Sequence, residues 1–248
     1  MRTLAAAAVA LGLVVLPACG DDGGDGTVTV LAAASLTDAF TALASDFEDE
    51  HDGATVELSF GPSSGLASSI VEGAPAGVFA SASPAAMDVV VEAGEVDGSP
   101  ADFAQNRLAL VMPSGNPGDV RTLDDLARDD LLVGLCAPDV PCGEVAARVL
   151  EDAGVDPATD TEEADVRALL TKVAAGELDV GLVYETDVAA GGRDVEGIAL
   201  SPDAPAGTRY PIAVLDAASD RGAAEDLVDL VRSEEGQRIL REHGFRAP

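Results

Sequence analysis

Short β-branched or apolar runs alternate along this chain with segments of helical period. Thr27–Leu31 (TVTVL) reads as a buried strand. Leu36, Phe40, Leu43 and Phe47 follow at spacings of four, three and four, which is one helical face. Ser35 stands where that helix would be capped, with Asp38 three residues on. TVELSF (55–60) predicts a second strand, and SSGLASSI from Ser63 a second helix. GVFAS (77–81) predicts a strand followed by a helix over 85–93. Further strands are expected at 106–112, 131–135, 179–184 and 210–215. Helices are expected at 123–127, at 143–150 with Gly154 as the stop, from an Asp165 cap through Val173, and over 223–240. Strands and helices in alternation with short connections predict an α/β fold with parallel sheets.

Four times a strand or its following loop delivers a small or neutral residue to the first turn of a helix. The four are Ser35, Ser63, Cys142 and Val166. A helix start carries unpaired N–H groups and the positive end of the helix dipole. Several such starts converging on one point would form an anion site without any Lys or Arg. Pattern alone does not establish that convergence.

Charge makes this matter. Over 248 residues there are 14 basic and 45 acidic side chains, a formal net charge of −31, and Lys172 is the single lysine. Nucleic acid is excluded as a partner, since little here could displace counterions from phosphates. The acidity reads as a solvated surface. An anionic ligand would be repelled by the whole and would have to be attracted locally. Aromatics are only 3%, so the core must be built mostly from Ala, Val and Leu.

The first residues read as a targeting segment. Met1-Arg2 precedes an apolar stretch, Leu4 to Leu16, too short for a comfortable membrane span. It ends in LPACG, which resembles a bacterial lipobox with Cys19 as the lipidated first mature residue. The expectation is a signal peptide over 1–18, a Gly/Asp-rich tether over 19–26, and an extracytoplasmic chain anchored to the cell membrane by acyl chains. In that compartment Cys136 and Cys142, six positions apart in CAPDVPC, are expected to form a disulfide, with two free thiols as the alternative. A resident metal site is not expected, since no further ligands stand nearby.

Gly61-Pro62-Ser63-Ser64-Gly65 fits G-x-S-x-G, the nucleophile elbow of serine hydrolases. Asp216 and His243 would complete a triad in the right chain order. Against this, Ser63 follows only the second strand, no HGGG-type loop precedes it, and Pro62 occupies the position before the would-be nucleophile. The hydrolase remains a remote alternative and the chain is read as no enzyme.

Six stretches carry a resemblance: VLAAASLTDAF (30–40), FGPSSGLASSI (60–70), VPCGEVAARVL (140–150), ADVRALL (164–170), VGLVYETDVA (180–189) and SEEGQRILREHGF (233–245). In this order they resemble the molybdate-binding proteins of ABC transporters, the ModA family. The resemblance implies a two-lobed periplasmic binding protein of type II, with the ligand in the cleft between lobes. It implies molybdate or tungstate as ligand, no cofactor, ABC permease and ATPase subunits as partners, and a monomer. Ser35 and Ser63 would donate through hydroxyl and backbone N–H, Cys142 and Val166 through backbone N–H, and Tyr184 through its phenol. One lobe is expected over 27–107 plus 207–248 and the other over 108–206. Sulfate, held by neutral donors in a protein of the same fold, is the alternative ligand. Iron is disfavoured because Tyr184 and Tyr210 are the only tyrosines. The family pattern A-D-x-F-x-S-A-D is here Ala76 to Ser83 (AGVFASAS), without either acidic residue. That puts lobe packing, not ligand donation, in question.

Overall fold

Strand β1 (Thr27–Ala33) lies at the heart of the first of two sheets, with β2 (Thr55–Gly61) and β3 (Val78–Ala80) parallel to it on either side. This computed structural model describes residues 26–248. The expected signal segment, Cys19 and all of the tether but Gly26 lie outside the described residues. Beyond β3 the sheet turns antiparallel through β9 (Gly207–Leu215), which pairs with the long β4 (Val96–Pro113). The strand order is β2-β1-β3-β9-β4-β7-β5-β6, with β8 also on β4. Here β5 is Val133–Cys136, β6 Thr159–Glu163, β7 Val180–Tyr184 and β8 Val195–Ala199. β5 runs parallel to β6 and β7, while β4 runs antiparallel to β7 and β8. The sheets are therefore mixed, not parallel throughout as the alternation suggested.

β4 is the piece that joins them. Val96 to Arg107 pair with β9, and from Leu108 onward the same strand pairs with β7. The sequence pattern predicts only its last third. The earlier part holds Gly98, Ser99, Pro100 and two Asp residues, and its register with β9 slips between Asp97 and Ala101. Gly98 sits at φ +79°, a conformation that side chains disfavour, so the strand bends there without breaking.

Successive residues of a strand face opposite sides, and the cores follow that rule. Val30, Ala32, Val78, Ala80, Ile212 and Val214 face one side with Phe40, Phe47, Phe103, Tyr210 and Leu227. Leu31, Phe79, Ala213 and Leu215 face the other with Ile70, Met87 and Val90. A separate core draws only on residues between Leu108 and Ala206, including Leu110, Val133, Val149, Leu169, Val180 and Leu182. Each buried Val, Leu, Ile, Phe or Met among them contributes about 1.5–3 kcal/mol relative to exposure.

The helices are α1 (Thr37–Glu50), α2 (Ser63–Val71), α3 (Pro84–Ala93), α4 (Pro141–Ala153), α5 (Val166–Ala174), α6 (Glu185–Gly191), α7 (Arg221–Arg232) and α8 (Glu234–Glu242). Asp165 caps α5 as expected, accepting from the N–H groups of Arg167 and Ala168. Gly154 ends α4 at φ +67°. Ser35 does not cap α1. It lies inside a 3-10 turn, Ala34–Leu36, and its hydroxyl meets Tyr210. β6, α6 and β8 escape the pattern because they are short, and β6 is wholly polar. Ser83, where the family pattern has an acid, caps α3 and donates to Glu144 Oε2 at 3.0 Å. The α3 start and α4 are thus joined by a neutral donor and a carboxylate.

Candidate functional site

Ser35, Ser63, Cys142, Val166 and Tyr184 all line one cavity, with Ala33, Pro62, Ala82, Val140 and Asp165 among its other walls. The cavity is about 20 Å³, where a single water needs about 10–15 Å³. It suits one compact group and excludes anything as extended as a sugar or a peptide. Its lining contains no Lys, Arg or His.

Local sequence explains what each wall offers. α2 begins at Ser63 with Pro62 at the cap and no side chain on the first-turn N–H groups. Ser63 Oγ accepts from the Ala82 N–H at 3.0 Å, so its own proton is available to donate. α4 begins with Pro141, which has no N–H, so Cys142 carries the first amide of that helix. Cys136 and Cys142 are joined by a disulfide, which ties the end of β5 to that first turn. Gly143 makes the close turn possible, since a Cβ there would stand 1.8 Å from the Ala137 carbonyl oxygen. In α5 the Asp165 carboxylate takes the amides of Arg167 and Ala168 at 2.8 and 2.9 Å. The Val166 N–H, at the first helical position, has no partner within the helix.

Tyr184 ends β7. Its phenol is buried and its oxygen has no hydrogen-bond partner among the described residues. Burial pushes its pKa well above the ordinary range, and the Tyr210, Asp187 and Glu144 side chains push the same way. The phenol is therefore a neutral donor. An unsatisfied buried hydroxyl costs about 1–3 kcal/mol, so its presence asks for a ligand.

Four groups around the cavity, Tyr210, Asn106, the Ala82 amide and Asp187, were not legible as such in the sequence. Tyr210 O–H lies 2.9 Å from Ser35 Oγ, and Asn106 Nδ2 lies 3.5 Å from Tyr210 and 2.8 Å from Thr186 Oγ1. The Ala82 amide orients Ser63. Asp187, fully buried on α6, accepts from the Tyr184 N–H at 3.3 Å and faces Arg167 Nε at 2.9 Å. That pair is held by charge more than by a well-aligned hydrogen bond. Burial raises the Asp187 pKa to about 7 despite the Arg167 charge.

The triad is not assembled. His51 stacks on Phe47 with ring centroids 4.1 Å apart, and His243 lines a different groove from Ser63. Asp216 follows β9, its amide bonded to the Glu95 carbonyl. Among the described residues no histidine lines the Ser63 cavity.

Comparison with known proteins agrees. The profile of the family described as bacterial extracellular solute-binding protein matches residues 28–246. Such proteins bind solutes and are not enzymes. The molybdate-binding protein ModA of Mycobacterium tuberculosis H37Rv is 38% identical over 222 residues, 90% of this chain and 85% of the relative. This chain therefore belongs to the ModA family of solute-binding proteins. The periplasmic molybdate-binding protein of Azotobacter vinelandii superposes with a TM-score of 0.79 at 22% identity, covering 89% of this chain and 99% of that one. The sulfate-binding protein SubI of M. tuberculosis H37Rv gives 0.77 at 22%, covering 89% and 86%. The fold is that of type II periplasmic binding proteins, with two α/β lobes.

Proposed function

We propose that this chain captures molybdate, and tungstate with it, outside the cytoplasm and delivers it to an ABC permease and its ATPase. The observation that carries this reading is the buried, partnerless Tyr184 hydroxyl in a small cavity ringed by helix starts and two serine hydroxyls, with no cation in its lining. Its donor set suits a compact tetrahedral dianion. Ser35, Ser63 and Tyr184 donate from side chains, Cys142 and Val166 from the backbone. Tyr210 Oη lies 2.9 Å from Ser35 Oγ, and with Tyr210 as the donor the serine proton is left for the ligand. Each charge-assisted hydrogen bond contributes about 1.5–3 kcal/mol. Five or more, less the costs of desolvation and closure, give roughly micromolar binding or better.

Ligand access follows from two lobes, 27–107 with 207–248, and 108–206. In support, the cores divide at these points and β4 changes partner between Arg107 and Leu108. The cleft lies between them and closes by hinge motion. Lipidation of Cys19 holds the monomeric chain at the membrane. Names of relatives support the ligand: the ModA proteins are molybdate-binding. The SubI fold match keeps sulfate as the second reading.

Calorimetric titration of residues 21–248 with molybdate, tungstate, sulfate and phosphate tests this. Tight binding of molybdate and tungstate alone is expected. Preference for sulfate replaces the ligand while keeping the site. Silence with all four overturns both readings.

A further inference from the structure

Arg167 is one residue from Val166, yet its guanidinium does not line the cavity. Nη2 donates to Asp38 Oδ2 at 2.7 Å, and Nε stands 2.9 Å from Asp187 Oδ1. Asp187 belongs to the same half of the molecule as Arg167. Asp38 belongs to the other, in the first turn of α1, three residues after Ser35. The contact therefore ties the helix start that carries Val166 to the turn that carries Ser35.

Two ion pairs join the halves among the described residues: this one and Arg246–Glu185. The latter is carried by the chain's last residues, with Arg246 about half exposed (52%). Arg167 is only 25% exposed and Asp187 not at all. The Asn106–Thr186 bond is a neutral contact beside the strand crossing, and Glu144 takes only a neutral donor, Ser83, across the halves. Arg167 is thus pinned from behind by a buried carboxylate. Its remaining N–H edge is presented, already oriented, to the opposite half. A preoriented guanidinium loses less side-chain freedom on pairing than a free one.

We propose that Arg167 is a positioning residue, the bolt of an Asp38–Arg167–Asp187 relay that holds the two cavity walls together in the closed state. This rests on the oxyanion reading of the cavity and names what stabilises its closure. The relay also occupies the Arg167 charge, next in sequence to Val166, with two carboxylates, so the cavity keeps neutral donors. Breaking Arg167–Asp38 shifts the open–closed equilibrium and leaves every ligand donor in place.

The test uses fluorophores on cysteines introduced at Glu92 and Asp129, both exposed and one in each half, in the soluble chain. Inter-label distances are read without ligand and across a molybdate titration, in wild type, Asp38→Asn and Asp38→Glu. Asp38 is the right target because its loss leaves Arg167 paired with Asp187, whereas loss of Arg167 strands a buried carboxylate. Asp38→Asn is expected to lower the closed-to-open ratio by about three- to tenfold. Asp38→Glu restores it to within about twofold. Sodium chloride at 1 M moves the wild type the same way and moves Asp38→Asn less, because the bond is partly exposed and screened and only the Arg246–Glu185 pair is left to screen in the variant. An unchanged ratio in Asp38→Asn overturns the relay, as does failure of Asp38→Glu to restore it. If wild type binds neither molybdate nor tungstate, the ligand reading falls instead. The effect of Asp38 and of salt on the ligand-free distances then decides the relay alone.

Discussion

In the proposed site the two walls of the cavity would donate by different means. The wall from β1, α2 and the first sheet uses side chains: Ser35 and Ser63 offer hydroxyls, each oriented by a group behind it. The wall from α4 and α5 offers backbone amides at Cys142 and Val166, where the side chain is incidental to donation. Only Tyr184 brings a side chain from that second side. A hydroxyl wall is fragile to substitution of the donor itself. An amide wall is fragile to whatever moves the helix start. The two walls should therefore fail differently when mutated, and that difference is measurable.

The largest effect should come from moving an amide, not from deleting a donor. Gly143→Ala places a Cβ 1.8 Å from the Ala137 carbonyl oxygen, a backbone atom tied beside the disulfide. The α4 start must shift, at a cost of about 1–3 kcal/mol or more in stability, with affinity falling by roughly a hundredfold. Thermal unfolding and calorimetry check both. A variant that keeps wild-type affinity would show that the Cys142 amide does not contact the ligand.

Next come the hydroxyls. Ser63→Ala and Tyr184→Phe should each weaken oxyanion binding by about 10- to 100-fold, the value of one charge-assisted hydrogen bond. Their stabilities should part. Ser63→Ala leaves the buried Ala82 amide without its acceptor and costs about 1–3 kcal/mol. Tyr184→Phe removes a hydroxyl that has no partner, so the ligand-free protein should be as stable as wild type or more so. Equal destabilisation of the two variants would mean that Tyr184 has a structural partner.

How much of this is legible in the sequence follows the same division. The Ser35 and Ser63 positions can be read from residue type and from their place after a strand. Cys142 and Val166 show no donor side-chain chemistry; their place at a helix start marks them, and only the resemblance to a family gives that place a role. Period two is visible in the TVTV of β1, whereas YPIAVL is apolar throughout, and its two faces emerge only where Ile212 and Val214 pack on one side and Ala213 and Leu215 on the other. The join between sheets is not legible, since β4 begins in VDGSPAD, which reads as a turn until β9 pairs with it. Tyr210 behind Ser35 and Asp187 behind Arg167 act across 175 and 20 residues of chain. No local pattern encodes such contacts.

Asp187 gives the amide wall a pH dependence that the hydroxyl wall lacks. Its pKa rises from 3.8 to about 7, chiefly by burial. Between those values the native state holds a proton that the unfolded chain releases. This contribution to stability is therefore full below about 4 and is lost as pH rises through about 7. The shift is worth a few kcal/mol. Asp187→Asn should flatten the profile. The stability difference between wild type and Asp187→Asn should fall steadily from pH 4.5 to 7.5 in denaturant titrations. A pH-independent difference would show that the carboxylate stays ionised throughout, held by Arg167.

The smallest expected effect is the sharpest test of the comparison. Val166 is buried and packs into the second core, so Val166→Ala should lose stability by about 1–2 kcal/mol. Its proposed role in binding belongs to the amide, which alanine retains. Affinity at a temperature well below unfolding should then change by less than about threefold, although Val166 touches the cavity as directly as Ser63 does. Helix start α5 stays in place because Asp165 still caps it through the next two amides. A tenfold loss of affinity in a folded Val166→Ala would mean that the ligand contacts the isopropyl group. The second wall would then recognise by shape and not by charge complement, and the contrast between the walls would disappear.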